Sequence, residues 1–314
     1  MEQSVREAYG RTLVELGREN PNIVVLDADL AKSTMTIMFA KEFPERFFDC
    51  GIAEQNMIGI AAGLAASGKI VFASTFAVFA PGRCYDQIRM SIAQPSLNVK
   101  LVTTHGGVTV GEDGASHQAV EDLALACSFP GFNVVVPADA TEAAQAVRLA
   151  AQTCGPFYIR LTRPKVPPVY PPDYQFKLGQ AAILREGNDV TIMGMGLMVD
   201  VALKAAQMLA RDGIECRVLS MSSLKPLDED AVVKAAQETG AIITVEEHLR
   251  HGGLGSTVAQ VLAEKRPVPM SIIAINDTYS KSGKPEELLQ KHGLTAANVE
   301  SIAHSLLLRK RSSD

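Results

Sequence analysis

Short apolar runs alternate with segments of helical periodicity along almost the whole chain, and this alternation limits the possible folds more than any other feature. A first helical segment begins at Ser4, with Glu7 in capping-box spacing, and an apolar run at 23–26 follows it. The further apolar runs lie at 70–73, 98–102, 133–136, 157–161, 190–193, 214–219, 241–245 and 271–275. Helical periodicity is clearest at 84–93, 118–127 and 141–152. Because strands that alternate with helices form covered parallel sheets, the sequence predicts an α/β protein with mainly parallel sheets.

A proline-rich segment separates two series of such runs. Five prolines lie between Arg163 and Tyr174. Proline has no backbone donor and fixes φ, so the segment is expected to be extended. We therefore predict two domains, at 1–163 and 177–314, joined by a linker at 164–176. The length of 314 residues, with 47% hydrophobic residues, is sufficient for two cores.

The charge and cysteine content exclude several classes of protein. A formal net charge of −5 argues against a nucleic-acid-binding surface or a basic membrane-binding surface. The five cysteines have no C-x-x-C spacing, which is typical of reduced thiols rather than of disulfides or a zinc site. The longest apolar run, at 57–66, is shorter than the ~20 residues of a membrane helix. We predict a soluble, cytoplasmic protein with neither a nucleic-acid partner nor a membrane partner.

The segment from Phe47 to Met57 places a carboxylate where an apolar helix begins. Glu54 follows a short aromatic pair and Gly51, which are typical of a strand end and a turn. The apolar residues after Glu54 predict a helix that is buried on most sides, with Ile60 on its apolar face. Strand-to-helix turns often carry ligand-binding groups, although an acidic residue there also complements the helix N-terminus.

The segment from His105 to His117 combines glycines with titratable side chains. Its four glycines allow the backbone to approach a ligand closely, and two imidazoles and two carboxylates share the same short loop. This density favours a functional loop over an irregular surface loop. The two histidines have no third ligand nearby in the sequence, so we expect no metal site on them.

Together, the two segments closely resemble the pyrimidine-binding half of transketolases. The motifs are Gly-Ile-Ala-Glu-Gln-Asn-Met at 51–57 and, fifty residues later, His-Gly-Gly-Val-Thr-Val-Gly-Glu-Asp-Gly-Ala-Ser-His-Gln at 105–118. The resemblance implies a thiamine diphosphate-binding pyrimidine-type domain followed by a transketolase C-terminal-type domain. It also implies that Glu54 hydrogen-bonds the pyrimidine ring nitrogen of the cofactor, and that Phe76 and Phe79 pack around this ring. Where the family often has a third aromatic residue, this chain has Gly82.

The resemblance extends to residues that bind the substrate phosphate. Arg6, Asp29 and Ser33 reproduce the spacing of the family's phosphate-binding arginine, active-site aspartate and phosphate-binding serine. Arg163 corresponds to a second phosphate-binding arginine, with Arg160 as an alternative. Guanidinium groups suit this role because their planar donors match phosphate oxygens.

The resemblance also implies the residues that handle protons and hydroxyl groups. His105 and His117 correspond to histidines that contact substrate hydroxyls and assist proton transfer. Asp113 corresponds to an aspartate that selects the hydroxyl configuration. The expected catalytic residues are therefore Glu54, His105 and His117.

One motif of full-length transketolases is missing from the sequence. Their first half carries a Gly-Asp-Gly motif with a downstream asparagine, which hold magnesium and the diphosphate, and this chain contains no Gly-Asp-Gly. The resemblance therefore implies the C-terminal subunit of a split transketolase, in which a separate N-terminal subunit holds Mg²⁺ and the diphosphate. An α2β2 heterotetramer is the expected assembly.

The implied reaction is the transfer of a two-carbon ketol group from xylulose 5-phosphate to ribose 5-phosphate, giving sedoheptulose 7-phosphate and glyceraldehyde 3-phosphate in the pentose phosphate pathway. The alternatives are another thiamine diphosphate enzyme, either the beta subunit of a 2-oxo-acid dehydrogenase or a relative of deoxyxylulose-phosphate synthase, and a non-catalytic binding subunit of the same fold. Arg6, Ser33 and Arg163 favour a phosphorylated sugar over a 2-oxo acid. An intact Glu54 with both loop histidines favours catalysis over binding alone.

Overall fold

The chain folds around two β-sheets with helices on their faces, in a computed structural model that describes residues 2–171 and 173–311, the last without its side chain. The strands are β1 Ile23–Asp27, β2 Phe47–Asp49, β3 Ile70–Phe76, β4 Val99–Thr104, β5 Asn133–Val135, β6 Phe157–Arg160, β7 Ala182–Arg185, β8 Val190–Gly194, β9 Cys216–Ser220, β10 Ser223–Lys225, β11 Ile242–Leu249 and β12 Met270–Ile275. The α-helices are α1 Val5–Glu19, α2 Ala31–Thr34, α3 Ile37–Glu42, α4 Glu54–Ala66, α5 Tyr85–Ile88, α6 Asp122–Cys127, α7 Ala140–Gln152, α8 Met198–Leu209, α9 Glu229–Thr239, α10 Leu254–Lys265, α11 Pro285–Lys291 and α12 Ala296–Arg311. Short 3₁₀ turns lie at Pro44–Arg46, Val108–Asp113 and Ala210–Asp212, and a π turn at Arg89–Ala93.

The first sheet has the strand order β10-β5-β6-β4-β3-β1-β2, and all of its neighbouring strands are parallel except β10. Both faces of this sheet are buried. In β1, Ile23 and Val25 pack into one hydrophobic cluster, whereas Val24 and Leu26 pack into another on the opposite face. The predicted α/β class with mainly parallel, helix-covered sheets is therefore confirmed.

The second sheet has the order β12-β11-β8-β9-β7, with only β7 antiparallel to its neighbour. The apolar runs did not predict β7, whose four residues are only partly buried or exposed. They also missed β10, a three-residue strand that pairs with β5. β10 comes from the second half of the chain but forms the edge strand of the first sheet. The two halves are therefore joined by the pairing of β10 with β5. The division at 164–176 remains our proposal.

Helix α1 begins where its capping residue was predicted. Ser4 is the N-cap, and its hydroxyl accepts a hydrogen bond from the backbone N–H of Glu7 at 3.2 Å. The cap fixes the first turn of α1, which carries Arg6 toward the site described below.

Two details of the predicted helices were wrong. Ile60, predicted on the apolar face, is 38% exposed, whereas Ile58 is completely buried. The buried side of α4 contains Met57, Ile58, Ala61, Ala62 and Ala65. The predicted helix at 118–127 begins only at Asp122. Residues 118–121 are not helical, because Ala119 pairs with Gly106 and thereby joins the loop after β4.

Four neighbouring parallel strands, β1, β3, β4 and β6, end at the same edge of the first sheet. The segments that follow them contain Asp29, Phe79, His105 and Arg163, and the N-terminus of α4 lies after the adjacent β2. The carboxyl edge of a parallel sheet is the usual ligand-binding position in such folds. The candidate residues are thus assembled by the topology of the sheet.

Candidate functional site

Glu54 is a buried carboxylate at the first position of α4, with only 3% of its surface exposed. Its Oε2 lies 2.8 Å from Nη1 of Arg83, forming an ion pair. The guanidinium carbon of Arg83 lies 4.4 Å from the ring centroid of Phe79. Glu54 and the predicted aromatic wall are therefore joined through a cation that the motifs did not predict.

Phe76 and Phe79 form an aromatic cluster with the two loop histidines. The His105 ring stacks on Phe76 at a centroid distance of 3.9 Å, and the two phenyl rings lie 6.0 Å apart. His117 approaches Phe79 edge-on, with centroids 5.4 Å apart. Gly82 provides no side chain at the third position, and a Cβ atom there would meet only Val78 O at 3.4 Å and a Leu125 carbon at 4.0 Å.

His105 is held neutral by its surroundings. Burial, reinforced by the nearby Arg6 and Arg163, lowers the pKa of His105 to about 3. Its Nδ1 lies 2.7 Å from the hydroxyl of Thr104, which fixes the orientation of the ring. The backbone of His105 has φ of +60°, a conformation that non-glycine residues adopt rarely and that is enriched at functional sites. A neutral imidazole in this position can accept a hydrogen bond from a hydroxyl group or donate one to it.

Arg6 connects the predicted phosphate-binding residues. Its Nη1 donates to the backbone oxygen of Ser33 at 2.7 Å, and its Nη2 donates to the backbone oxygen of Arg163 at 3.1 Å. The Arg163 guanidinium lies 3.5 Å from Asp113 and also hydrogen-bonds the backbone oxygen of Val110. Burial and the proximity of Arg163 lower the pKa of Arg6, as expected for two cations held close together. Such a pair of neighbouring guanidinium groups is suited to an anion.

Asp29 lies two residues after the end of β1, in the turn that leads to α2. Its carboxylate is exposed, and its backbone N–H donates to Oδ1 of Asp49 at 3.1 Å. Asp27, two residues earlier, is buried and accepts hydrogen bonds from Leu30 N and from two threonine hydroxyls. Burial raises the pKa of Asp27 to about 6. Asp29 also has φ of +60°, so the turn that presents its side chain is tightly constrained.

The loop that carries Asp113 is held by the second half of the chain. Thr109 N donates to Oε1 of Glu247, on β11, at 2.6 Å. Gly107 has φ of +83°, and a Cβ atom there would collide with the carboxyl group of Glu247. Arg160, the alternative phosphate ligand, is instead 5% exposed and paired with Asp122 at 3.0 Å. Arg160 Nη2 also donates to the backbone oxygens of Ala119 and Glu247, at 3.0 Å each, so its guanidinium supports the loop through buried contacts.

Sequence reasoning missed Arg83 and Glu247. Their partners Glu54 and Thr109 lie 29 and 138 residues away, respectively. No local pattern indicates such pairings, although the position of Arg83 four residues after Phe79 could have suggested a cation near the aromatic wall.

The donor chemistry of the site fits an organic ring better than a metal. Within residues 2–171 and 173–311, no cluster of three histidine, cysteine or acidic side chains is arranged to hold a metal ion. A buried carboxylate beside two aromatic rings instead matches an aminopyrimidine, which hydrogen-bonds through its nitrogens and packs through its faces. In the same described ranges, no helix is long and apolar enough to cross a membrane.

Comparison with known proteins gives consistent matches over nearly the whole chain. Residues 1–168 match the family described as transketolase, pyrimidine binding domain, and residues 179–299 match transketolase, C-terminal domain. The chain is 46% identical over 308 residues to a protein of Methanocaldococcus jannaschii described as a transketolase C-terminal section, covering 97% of this chain and 96% of that protein. It is 44% identical to a subunit of the apulose-4-phosphate transketolase of Phocaeicola vulgatus, with 94% of each chain covered. A solved structure described as a split gene transketolase, inactive beta4 tetramer, is 54% identical with a TM-score of 0.92, covering 98% of this chain and 99% of that one.

Proposed function

Since this chain belongs to the transketolase family, as the C-terminal subunit of a split enzyme, we propose that it supplies the pyrimidine half of a thiamine diphosphate site. When bound, thiamine diphosphate accepts and then releases the two-carbon ketol unit. Glu54 would hold the pyrimidine ring nitrogen, and Phe76 and Phe79 would pack around the ring. A buried carboxylate suits this role because a hydrogen bond in a dry pocket is short and strong.

The observation that carries this proposal is the convergence of three kinds of group at one sheet edge. The Glu54 carboxylate adjoins Phe79 through Arg83, and His105 stacks on Phe76. Arg6 and Arg163, which we propose bind phosphate, lie close enough to His105 to lower its pKa. A site for a ring, a site for hydroxyl groups and a site for an anion are what a sugar-phosphate transferase needs.

We assign the substrate contacts on the same geometry. Arg6, Ser33 and Arg163 would bind the phosphate, whereas His105, His117, Asp29 and Asp113 would face the hydroxyl groups of the sugar. The proposed reaction transfers a ketol group between xylulose 5-phosphate and ribose 5-phosphate, in the cytoplasmic pentose phosphate pathway. One relative is named for apulose 4-phosphate, which is also a phosphorylated sugar.

The proposed partner is an N-terminal subunit that holds most of the diphosphate and Mg²⁺, in an α2β2 assembly. The similarity to a transketolase C-terminal section and to a split gene transketolase supports this division of the site. The exposed surface at the start of α4 and along its outer face also supports it. Ile52, in the turn before the helix, is 79% exposed, and Ile60 on the helix is 38% exposed. A Cβ atom at Gly59 or Gly63 would meet nothing within 4 Å. An exposed apolar face with room for close backbone approach is suited to a second subunit.

The test is a ketol-transfer assay with xylulose 5-phosphate, ribose 5-phosphate, thiamine diphosphate and Mg²⁺. This chain, the candidate N-terminal subunit and their mixture are assayed separately, and activity is expected only in the mixture. A mixture that is inactive with sugar phosphates but active with 2-oxo acids would identify a dehydrogenase subunit instead. A mixture that binds the cofactor but converts neither substrate class would identify a non-catalytic subunit.

A further inference from the structure

Arg83 makes the two contacts that an aminopyrimidine ring would make in this site, one with the Glu54 carboxylate and one with the Phe79 ring. Nη1 of Arg83 lies 2.8 Å from Oε2 of Glu54, and the guanidinium carbon lies 4.4 Å from the centroid of Phe79. A guanidinium and an aminopyrimidine are both planar groups that donate N–H bonds to a carboxylate and stack on an aromatic ring. The two groups would therefore compete for one carboxylate and one ring face.

Resting on the proposed function, we propose that Arg83 occupies the pyrimidine position in the free chain and must leave Glu54 before thiamine diphosphate binds. Arg83 then acts as an internal competitor of the cofactor, and it is not a ligand of the bound cofactor. The apparent affinity for the cofactor is the intrinsic affinity multiplied by the fraction of molecules in which Arg83 has left Glu54.

The surroundings of Arg83 allow its side chain to move while its backbone stays in place. The side chain is 45% exposed, so solvent lies beside the guanidinium group. The backbone oxygen of Arg83 is held by Nε2 of Gln55 at 3.0 Å, which ties this segment to the first turn of α4. A rotation about side-chain bonds is enough to transfer the guanidinium to water.

The same pair explains how the free chain tolerates a buried carboxylate. Glu54 is 3% exposed, and a carboxylate in such a position is strongly destabilising when no cation or donor accompanies it. Arg83 provides this counter-charge as long as the pyrimidine is absent. Its removal should therefore weaken the free chain and strengthen cofactor binding, two effects of opposite sign from one substitution.

The experiment compares Arg83→Gln and Glu54→Gln with wild type and with Arg89→Gln. This last variant changes an exposed arginine whose guanidinium contacts the neighbouring Met90 sulfur. The isolated full chain is titrated with 4-amino-5-hydroxymethyl-2-methylpyrimidine by calorimetry, and the mixture with the N-terminal subunit is titrated with thiamine diphosphate and Mg²⁺. Arg83→Gln is expected to bind both probes about tenfold more tightly, and Arg89→Gln to bind them like wild type.

A second measurement needs no ligand. Thermal unfolding of the isolated chain is recorded for Glu54→Gln, for Arg83→Gln and for the double variant. A direct ion pair predicts that the two substitutions are not additive, because either one already removes the interaction. Additive effects on the unfolding temperature would overturn the pairing in solution.

The outcomes separate this inference from the function on which it rests. If Arg83→Gln binds the probes equally well or less well, while Glu54→Gln still abolishes binding, Arg83 is not a competitor and the pyrimidine site stands. If no variant binds either probe, or if binding does not depend on Glu54, the pyrimidine site itself is refuted and the competition with it.

Discussion

Glu247, on the second sheet, accepts a hydrogen bond from the backbone N–H of Thr109 at 2.6 Å, and this contact fixes the loop that carries Asp113. The same turn presents the Val110 carbonyl to Arg163. The second half of the chain, for which the sequence indicated no ligand, thus positions candidate substrate-binding groups of the first half. It contributes to the site by positioning the loop, because the Glu247 carboxylate lies against the loop backbone.

Glu247→Ala should therefore raise the KM for the sugar phosphate. Loss of the carboxylate leaves the buried Thr109 N–H without an acceptor, which costs about 1–3 kcal/mol in the free energy of unfolding. Glu247→Gln retains an amide oxygen and should restore most of both properties. Steady-state kinetics and urea unfolding of the assembled enzyme provide the two readouts.

Glu246→Ala is the matched control for that experiment. Glu246 is the neighbouring buried carboxylate, and it accepts N–H groups of Leu254 and Gly255 at the start of α10, away from the loop. This variant should lose stability with little change in KM. Equal changes in KM for Glu246→Ala and Glu247→Ala would show that general destabilisation, and not loop position, controls substrate binding.

Glu54→Gln should reduce turnover by a factor of about 100 or more while the chain stays folded, because a neutral amide cannot replace a carboxylate in proton control. Its circular dichroism should match wild type. The exposed Glu45→Gln, in the short turn before β2, serves as the control and should be fully active. A folded and fully active Glu54→Gln enzyme would remove the proposed role of this carboxylate.

Arg6→Gln should weaken binding of phosphorylated sugars by about tenfold or more, since a hydrogen bond to a charged group contributes about 1.5–3 kcal/mol. Unphosphorylated ketoses should be affected much less. The control is Arg11→Gln, an exposed arginine five residues further along α1. The ratio of kcat/KM for phosphorylated and unphosphorylated substrates is the measurement, and an unchanged ratio would place the phosphate elsewhere.

Local sequence signals predicted the parts of the fold that depend on neighbours along the chain. The Ser4 cap, the buried strand at Val24 and the Glu54 position at a helix start all follow from short-range patterns. The phase of α4 did not follow, because Ile58 and Ile60 are equally apolar and only the packing against the sheet distinguishes them.

Long-range pairings in the site could not be predicted in this way. The contact between Arg83 and Glu54 depends on how the turn after β3 meets the start of α4. The contact between Glu247 and Thr109 depends on how the second sheet meets the loop after β4. Neither geometry leaves a periodic signal in the sequence. The family motifs supplied the candidate residues, but the residues that orient them became visible only in three dimensions.

Glu142 should make the stability of the chain decrease as the pH rises. This carboxyl group is 1% exposed and lies where α7, the linker and the second half of the chain meet. It accepts hydrogen bonds from Ala138 N at 2.8 Å, Ser222 Oγ at 2.7 Å and Tyr174 Oη at 2.9 Å. Burial outweighs these donors and raises its pKa from 4.5 to about 7.

Between pH 4.5 and 7, the folded chain keeps a proton on Glu142 that the unfolded chain has already lost. The stabilisation from this proton is complete below about pH 4.5 and is lost as the pH rises through about 7, a change of about 3 kcal/mol. Glu142→Gln removes the titration, and its amide can keep an acceptor toward Ala138 while donating to Tyr174. Urea unfolding at pH 5 and pH 8 should therefore show wild type losing more stability than this variant, whereas the exposed Glu264→Gln should behave like wild type. Identical pH dependence in wild type and Glu142→Gln would mean that this carboxyl group ionises equally in the folded and unfolded chains.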